Sequence, residues 1–405
     1  MEEWKTDRIE NLIDALIDYR GKTPQKDNQG IPLITAKIVK NGRIDTPEEF
    51  LAHDDYDSWM RRGYPQIGDV VLTTEAPLGE VAQISYLPVA LAQRIVTLRG
   101  KEGILDSTYL KYFLQSEIGQ KRLSARETGT TVTGIKQSEL RKVEITYPSF
   151  PTQRKIASIL KSIDDKIELN NHINHNLEMQ AQALFKSWFV DFEPFRGGKL
   201  VDSELGLIPI GWDAKPLSSI CHIEKKTINP QKYPTCLFTH YSIPAYDNSE
   251  LPELQKGSDI LSNKYIISDY TILFSKLNPR IKRIWNVYQS ESNPICSTEF
   301  VVYKPMDIDT YPFLYSFITG DDFYNNIMSK VNGATGSHQR FHPEETLDIL
   351  VPYHIDCYRL YSQLVLPIIQ QIDENKRENH YFSSLRDSLL PKLMSGELKI
   401  NDLTC

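Results

Sequence analysis

The sequence predicts an α+β fold: two duplicated β-rich domains with helices, separated by two long helices that form an antiparallel coiled coil. Three observations carry this. An apolar seam spaced four and three residues apart runs through Ile156, Leu160, Ile163, Ile167, Leu177, Ala181, Leu184 and Trp188, crossing the polar Asn170 and Asn174. The seam returns 205 residues later as Tyr361, Val365, Ile368, Ile372, Asn375, Asn379, Phe382, Leu389 and Leu393, with Arg386 where Ala181 stood. The β-rich runs that precede each seam follow one order. A repeat of about half the chain is a duplication, and a duplicated chain suits a pseudo-symmetric partner. The organisation expected is a first domain over 1–150, a central helix over 151–197, a second domain over 198–353, and a distal helix with its tail over 354–405.

The first domain opens with Trp4 and Ile9. A turn and strand follow at 67–74, then strands at 81–86 and 93–98, each bounded by turn residues. Residues 108–122 carry helical periodicity through Leu110, Phe113, Leu114 and Ile118. A polar loop at 128–134 and a strand ending at Pro148 close the domain. The second domain repeats the order: Trp212 and Leu217, strands at 269–275 and 297–303, a helix over 312–318, a polar loop at 333–338, and a strand ending at Pro352. Residues 205–212 read as the linker into it.

Each long helix is expected to run about 40 residues, roughly 60 Å at the α-helical rise. Paired glycines at 197–198 offer a stop for the first. Pro367 lies inside the second and is expected to kink or break it, leaving the two unequal. A pseudo-twofold axis between the asparagines would bring Asn170 to Asn379 and Asn174 to Asn375. A slipped register would bury those amides unpaired, so the pairs would fix alignment. The competing account of the seam is ordinary amphipathic packing on the neighbouring domain.

Composition is that of a soluble globular chain, 40% hydrophobic and 24% charged over 405 residues. No run approaches a membrane span, and the acidic start MEEWKTDRIE lacks the apolar core of a signal peptide, so a cytoplasmic location is expected. Five cysteines without CxxC spacing read as free thiols. His338 and His342 flank a loop rather than share a helix face, so no metal site is expected. No GxxxxGK[ST] loop and no GxGxxG after a strand are present, and no catalytic residue is assigned.

Net charge is −7, which alone argues mildly against nucleic-acid binding, but local clustering decides that question. Arg and Lys suit phosphates, and Arg, Lys and Asn can read base edges. The first-domain candidates are Arg20, Lys22, Lys37, Lys40, Asn41 and Arg43, with Thr130, Thr131, Thr133 and Lys136 in the polar loop. Those of the second are Lys225 and Lys226, then Lys276, Asn278, Arg280, Lys282 and Arg283, with Thr335, Ser337, His338 and Arg340 in the matching loop. The first-domain counterpart of 276–283, residues 74–79, is nearly uncharged, so the basic run is not framework.

The segments YPSFPTQRKIASIL (147–160), IDDKIELNN (163–171), ALFKSWF (183–189) and LLPKLMSGEL (389–398) resemble the specificity subunit of type I restriction–modification systems. The likeness extends over essentially the whole chain as an ordered architecture. It implies two target-recognition domains, each reading half of a split double-stranded DNA site, and helices that set the gap and dock two modification subunits. Restriction subunits, which carry the motor and nuclease, would join in the full complex. The chain would be non-catalytic and hold no cofactor. Methyl donor, ATP and magnesium would belong to the partners. The alternatives are a coiled-coil scaffold that does not bind DNA, and a fused single-chain nuclease or methylase.

Overall fold

A computed structural model of the chain describes residues 4–129, 133–330 and 341–399. They form two compact units: Met1–Ile167 with Tyr381–Cys405, and Glu168–His380. The long helices are therefore not separate bodies. Each gives one half to each unit, because its buried stripe is covered both by the other helix and by a β-rich domain.

In the first unit a four-stranded antiparallel sheet runs in the order Ile13–Asp18, Ile95–Gly100, Val70–Thr74, Leu78–Gln83. A second sheet places Ile31–Ile34 antiparallel to Phe50–Leu51 and parallel to Ala90–Leu91. Lys5–Arg8 pairs with Glu144–Tyr147, joining the two ends of the domain. The core collects Val70, Leu72, Val96 and Leu98 from the main sheet, Tyr109 and Phe113 from a helix, and Ile156, Leu160 and Leu393 from the long helices.

The second unit repeats this topology. Its main sheet runs Cys221–Ile223, Phe300–Pro305, Thr271–Ser275, Ile284–Val287, again antiparallel throughout. Leu237–Tyr241 lies antiparallel to Glu253–Lys256 and parallel to Pro294–Ser297, as in the first unit, and two further strands extend this sheet. Asp213–Pro216 pairs with Leu350–Tyr353. Residue-level contacts repeat as well. Ile9 N donates to Val143 O, and Leu217 N donates to Ile349 O, both at 2.8 Å.

Several elements differ from the sequence expectation, among them the strand expected over 297–303, which is Phe300–Pro305 after a separate strand Pro294–Ser297, and the one expected over 81–86, which is Leu78–Gln83. The helix expected over 108–122 is two helices, Ser107–Gln115 and Glu117–Ser124. The second unit breaks its helix at the matching point, giving Tyr311–Thr319 and Asp321–Ser329. Close packing of the two pieces forces the break. A Cβ on Gly119 would stand 2.0 Å from Phe113 O. Ser116 Oγ caps the second piece by accepting from Gly119 N at 3.2 Å. The region 205–212 is not a simple linker, since Leu200–Ser203 and Gly206–Pro209 form a β-hairpin. The strand expected from Gln93 begins at Ile95, because Arg94 takes a left-handed turn at φ 70°.

The central helix is Phe150–Phe189 and the distal helix Ile355–Ser395, 40 and 41 residues long. The central helix ends before the paired glycines. Asp191 N reaches back to Lys186 O at 2.8 Å, Phe192 turns left-handed, and Pro194 forbids continuation. Phe189, Phe192 and Phe195 then pack on Trp212. Pro367 does not break the distal helix, and the two helices are nearly equal. Pro367 lies on the exposed face, and so does Gln363, whose carbonyl loses its intrahelical donor and can turn to water. On the opposite face Tyr358, Tyr361, Val365 and Ile369 are fully buried and hold the segment in place.

Within the second unit the helices pair antiparallel through a polar layer. Asn170 Nδ2 donates to Asn379 Oδ1 at 2.9 Å and to Glu378 Oε2 at 2.7 Å. Asn375 Nδ2 donates to Asn174 Oδ1 at 2.8 Å, and Asn379 Nδ2 to Asn171 Oδ1 at 2.9 Å. Gln371 closes the layer on Asn375 Oδ1. Along the seam Ile156, Leu160, Ile163, Asn170, Asn174, Ile372 and Asn375 are buried, while Ile167, Leu177, Leu184, Ile368, Asn379, Phe382 and Leu389 are half-buried. Ile369 lies deeper than Ile368, because the distal helix faces the β-rich core as well as its partner helix.

Candidate nucleic-acid interface

In the first unit, the residues after Asp18, after Thr74 and before Ile95 meet at one end of the main sheet, because Val96 pairs with Asp18 and Ile95 with Thr73. The polar loop after Thr128 joins them there. Gly134 bridges both Thr128 and Glu75, and Ile135 N donates to Thr74 O at 2.9 Å. Arg20 reaches across to this loop, its Nη1 donating to Ile135 O at 2.7 Å, while Asp18 sits 3.3 Å from its Nη2. Arg20 is thus a strut of the loop base. Lys22, Thr133 and Lys136 are exposed at the same end. Thr130 and Thr131 lie outside the described residues.

Two cations there have no clear sequence signal. Arg94 falls in a run whose pattern is that of a strand, yet its left-handed backbone aims it at Glu75, 3.0 Å away. Arg62 donates from Nη1 to Asp18 O at 2.6 Å and lies over the Tyr19 ring. Lys37, Lys40, Asn41 and Arg43 belong to a separate hairpin, Val39–Lys40 with Arg43–Ile44. Asn41 and Gly42 both take positive φ, so Asn41 is the turn residue this hairpin requires. Lys37 pairs with Glu48 at 3.0 Å and Lys40 with Asp45 at 2.9 Å; Arg43 also faces Asp45. Acidic neighbours therefore offset most of this cluster's charge.

In the second unit, the same end of the main sheet gathers Lys225, Lys226 and the loop 276–283. The framework contact is reproduced: Lys276 N donates to Glu299 O at 2.9 Å, as Thr74 N does to Arg94 O. Where one unit has an arginine, the other has a glutamate. Lys225 is ion-paired with Glu344, and Lys226 is exposed. Of the four cations in the loop, Arg283 is buried and bound to Asp247, and Lys282 donates to Thr319 O at 2.7 Å. Asn278 takes a left-handed turn at φ 50°. Among the described residues, the side chains of Lys276 and Arg280 make no hydrogen bond or ion pair. Thr335, Ser337, His338 and Arg340 lie outside the described residues.

The described residues hold no cluster of three or more metal-ligating side chains, and no described helix is long and apolar enough to cross a membrane. The geometry is that of a repeated scaffold carrying different polar side chains at one end of each main sheet.

Residues 1–179 match the family model described as the type I restriction modification DNA specificity domain. The chain is similar to the type I restriction enzyme MjaIX specificity subunit of Methanocaldococcus jannaschii, with 29% identity over 99% of this chain and 95% of the relative. It is 24% identical to the HindI specificity subunit of Haemophilus influenzae, over 68% of this chain and 74% of that one. Its fold is shared with the crystal structure of the type I restriction–modification system S subunit from M. genitalium, at a TM-score of 0.60 and 18% identity, covering 97% of this chain and 96% of the other. Over nearly its whole length the chain is thus similar to type I restriction enzyme specificity subunits, and its first 179 residues match the DNA specificity domain of that family.

Proposed function

We propose that each unit reads one half of a bipartite double-stranded DNA site through the loops at the shared end of its main sheet. The paired helices set the gap between the halves and dock two modification subunits, and restriction subunits join that assembly. Methyl donor, ATP and magnesium act on the partners. One observation carries this reading: two copies of one framework present different side chains at the same loop positions. Cations there supply affinity for phosphate, and sequence discrimination comes from the side chains that differ. The acidic balance of the chain fits an assembly in which partners share the phosphate contacts.

The test replaces residues 1–150 by those of a relative and maps adenine methylation in a host carrying the system. One half-site should change while the other half and the gap stay fixed. A change in both halves, or in neither, rules out independent readers. A scaffold without a nucleic-acid role predicts no filter-retained DNA with the assembled complex at low salt. A fused enzyme predicts cleavage or methylation by this chain alone.

A further inference from the structure

The loop 276–283 carries four cations, and the structure divides them into two pairs. Arg283 is only 8% exposed at its side chain. Its planar fork meets Asp247 edge-on, with Nε to Oδ1 at 2.6 Å and Nη2 to Oδ2 at 2.9 Å. Asp247 lies on the helix Ile243–Ser249, so this bond ties the base of the loop to that helix. Ser275 N donates to Arg283 O at 3.0 Å and closes the base from the strand side. Lys282 donates to Thr319 O at the C-terminal end of Tyr311–Thr319, where the helix dipole favours a cation. Tyr324 OH donates to Arg280 O at 3.1 Å and holds the chain at the loop's far side. Arg280 is exposed and Lys276 half-buried, and among the described residues neither side chain makes a hydrogen bond or ion pair.

We propose that Arg283 is a positioning residue for DNA recognition: it does not touch the duplex but holds the loop in the shape that presents Lys276 and Arg280 to it. This rests on the half-site reading above. A guanidinium that is buried and already held by two bonds to a carboxylate cannot turn to a phosphate without breaking both bonds and leaving its pocket. A lysine cannot reproduce the two-point bond, so the contact is specific to arginine. The two remaining cations carry no such obligation and are available to phosphate or base edges.

The experiment uses the complex assembled with its modification subunits, and a duplex bearing the mapped site beside a duplex without it. Dissociation constants are measured across a salt series. Arg280→Ala should reduce the slope of log affinity against log salt by about 0.9 and weaken both duplexes alike. Arg283→Ala should leave that slope unchanged and lower affinity for the cognate duplex by about tenfold, the size of one lost base-pair contact. Asp247→Ala should match it, Arg283→Lys should fail to rescue it, and the exchange D247R with R283D should restore it. A slope reduction by Arg283→Ala equal to that of Arg280→Ala overturns the proposal, because it makes Arg283 a direct phosphate contact. Unchanged binding by Arg280→Ala also overturns it. If replacing residues 198–353 by those of a relative still moves one half-site in that case, half-site reading stands and only the loop assignment fails.

Discussion

At position 386 the distal helix carries an arginine where the central helix carries Ala181, and the first unit explains why. Arg386 Nη1 donates to Asp164 Oδ1 at 3.1 Å, while Asp164 Oδ2 accepts from Lys111 Nζ at 3.0 Å and Tyr112 OH at 2.7 Å. The positions matching Asp164 and Arg386 in the second unit are Ile369 and Ala181, both fully buried, and there Tyr361 OH bonds Ser316 Oγ at 2.8 Å and Ala181 O at 3.2 Å. One unit closes its helix–domain contact with charge and the other with aromatic packing. Asp164 is 21% exposed and Lys111 9%. Asp164→Ala strands the largely buried Lys111, leaves Arg386 with Asp387 alone, and should cost about 3 kcal/mol, read as a lower unfolding midpoint in urea. Burial alone would raise the Asp164 pKa, but Lys111, the Tyr112 hydroxyl and Arg386 outweigh it and hold the carboxyl below its ordinary value. The folded state therefore binds fewer protons at this group than the unfolded state. Its stabilising contribution is complete above the ordinary carboxylate pKa, about 3.9, and is lost as pH falls through the lower folded value. Thermal melting followed between about pH 6 and pH 3 should show a steeper acid loss in the wild type than in Asp164→Asn.

At the scale of elements, the polar layer between the long helices is the feature with the clearest energetic consequence. Asn174 is 6% exposed and Asn375 7%, so their amides have little access to water in place of each other. Asn375→Leu leaves Asn174 Oδ1 without its donor in a buried seam and should cost about 2 kcal/mol in thermal or urea unfolding. Replacing Asn174 and Asn375 together by leucine removes both halves of the bond and should recover most of that loss. The double variant should also relax alignment, because leucine at both positions packs in more than one register. Equal losses in the single and double variants would show that the pair does not act as a unit. The first turns of the long helices repeat a different device. Gln153 Nε2 donates to Pro148 O at 3.0 Å, and at the matching position Tyr358 OH donates to Pro352 O at 2.8 Å. Two unlike side chains anchor two helices to the carbonyl of a proline at the C-terminal edge of the preceding strand. No sequence pattern equates Gln with Tyr, so this correspondence is visible only in three dimensions.

At the scale of the whole molecule, the proposed ruler makes a prediction about distance. A heptad inserted after Ile167, matched by one inserted after Tyr381, preserves the seam's phase and lengthens each helix by about 10 Å. The gap in the methylated site should grow by about three base pairs at 3.4 Å each, with both half-site sequences unchanged. Methylation mapping reads both quantities at once. A changed half-site sequence, or an unchanged gap in a complex that still methylates, would remove the helices from the role of spacer.

The duplication, the class of fold and the seam with its asparagines were legible in the sequence, because heptad spacing and a 205-residue repeat are properties of order along the chain. The paired breaks at Ser116 and Gly320 were not, since they come from two helix pieces folding against each other. Nor was the unbroken course of the distal helix through Pro367, where packing of the opposite face outweighs a local penalty. Among the candidate cations, sequence could count charge but not assign it. Arg283, Arg20 and Lys37 look alike in a string, and only the tertiary structure buries the first against a bidentate carboxylate, gives the second a loop carbonyl, and the third an exposed glutamate. Charge is carried by the residue, but its availability is set by neighbours distant in sequence, and that is decided by the fold.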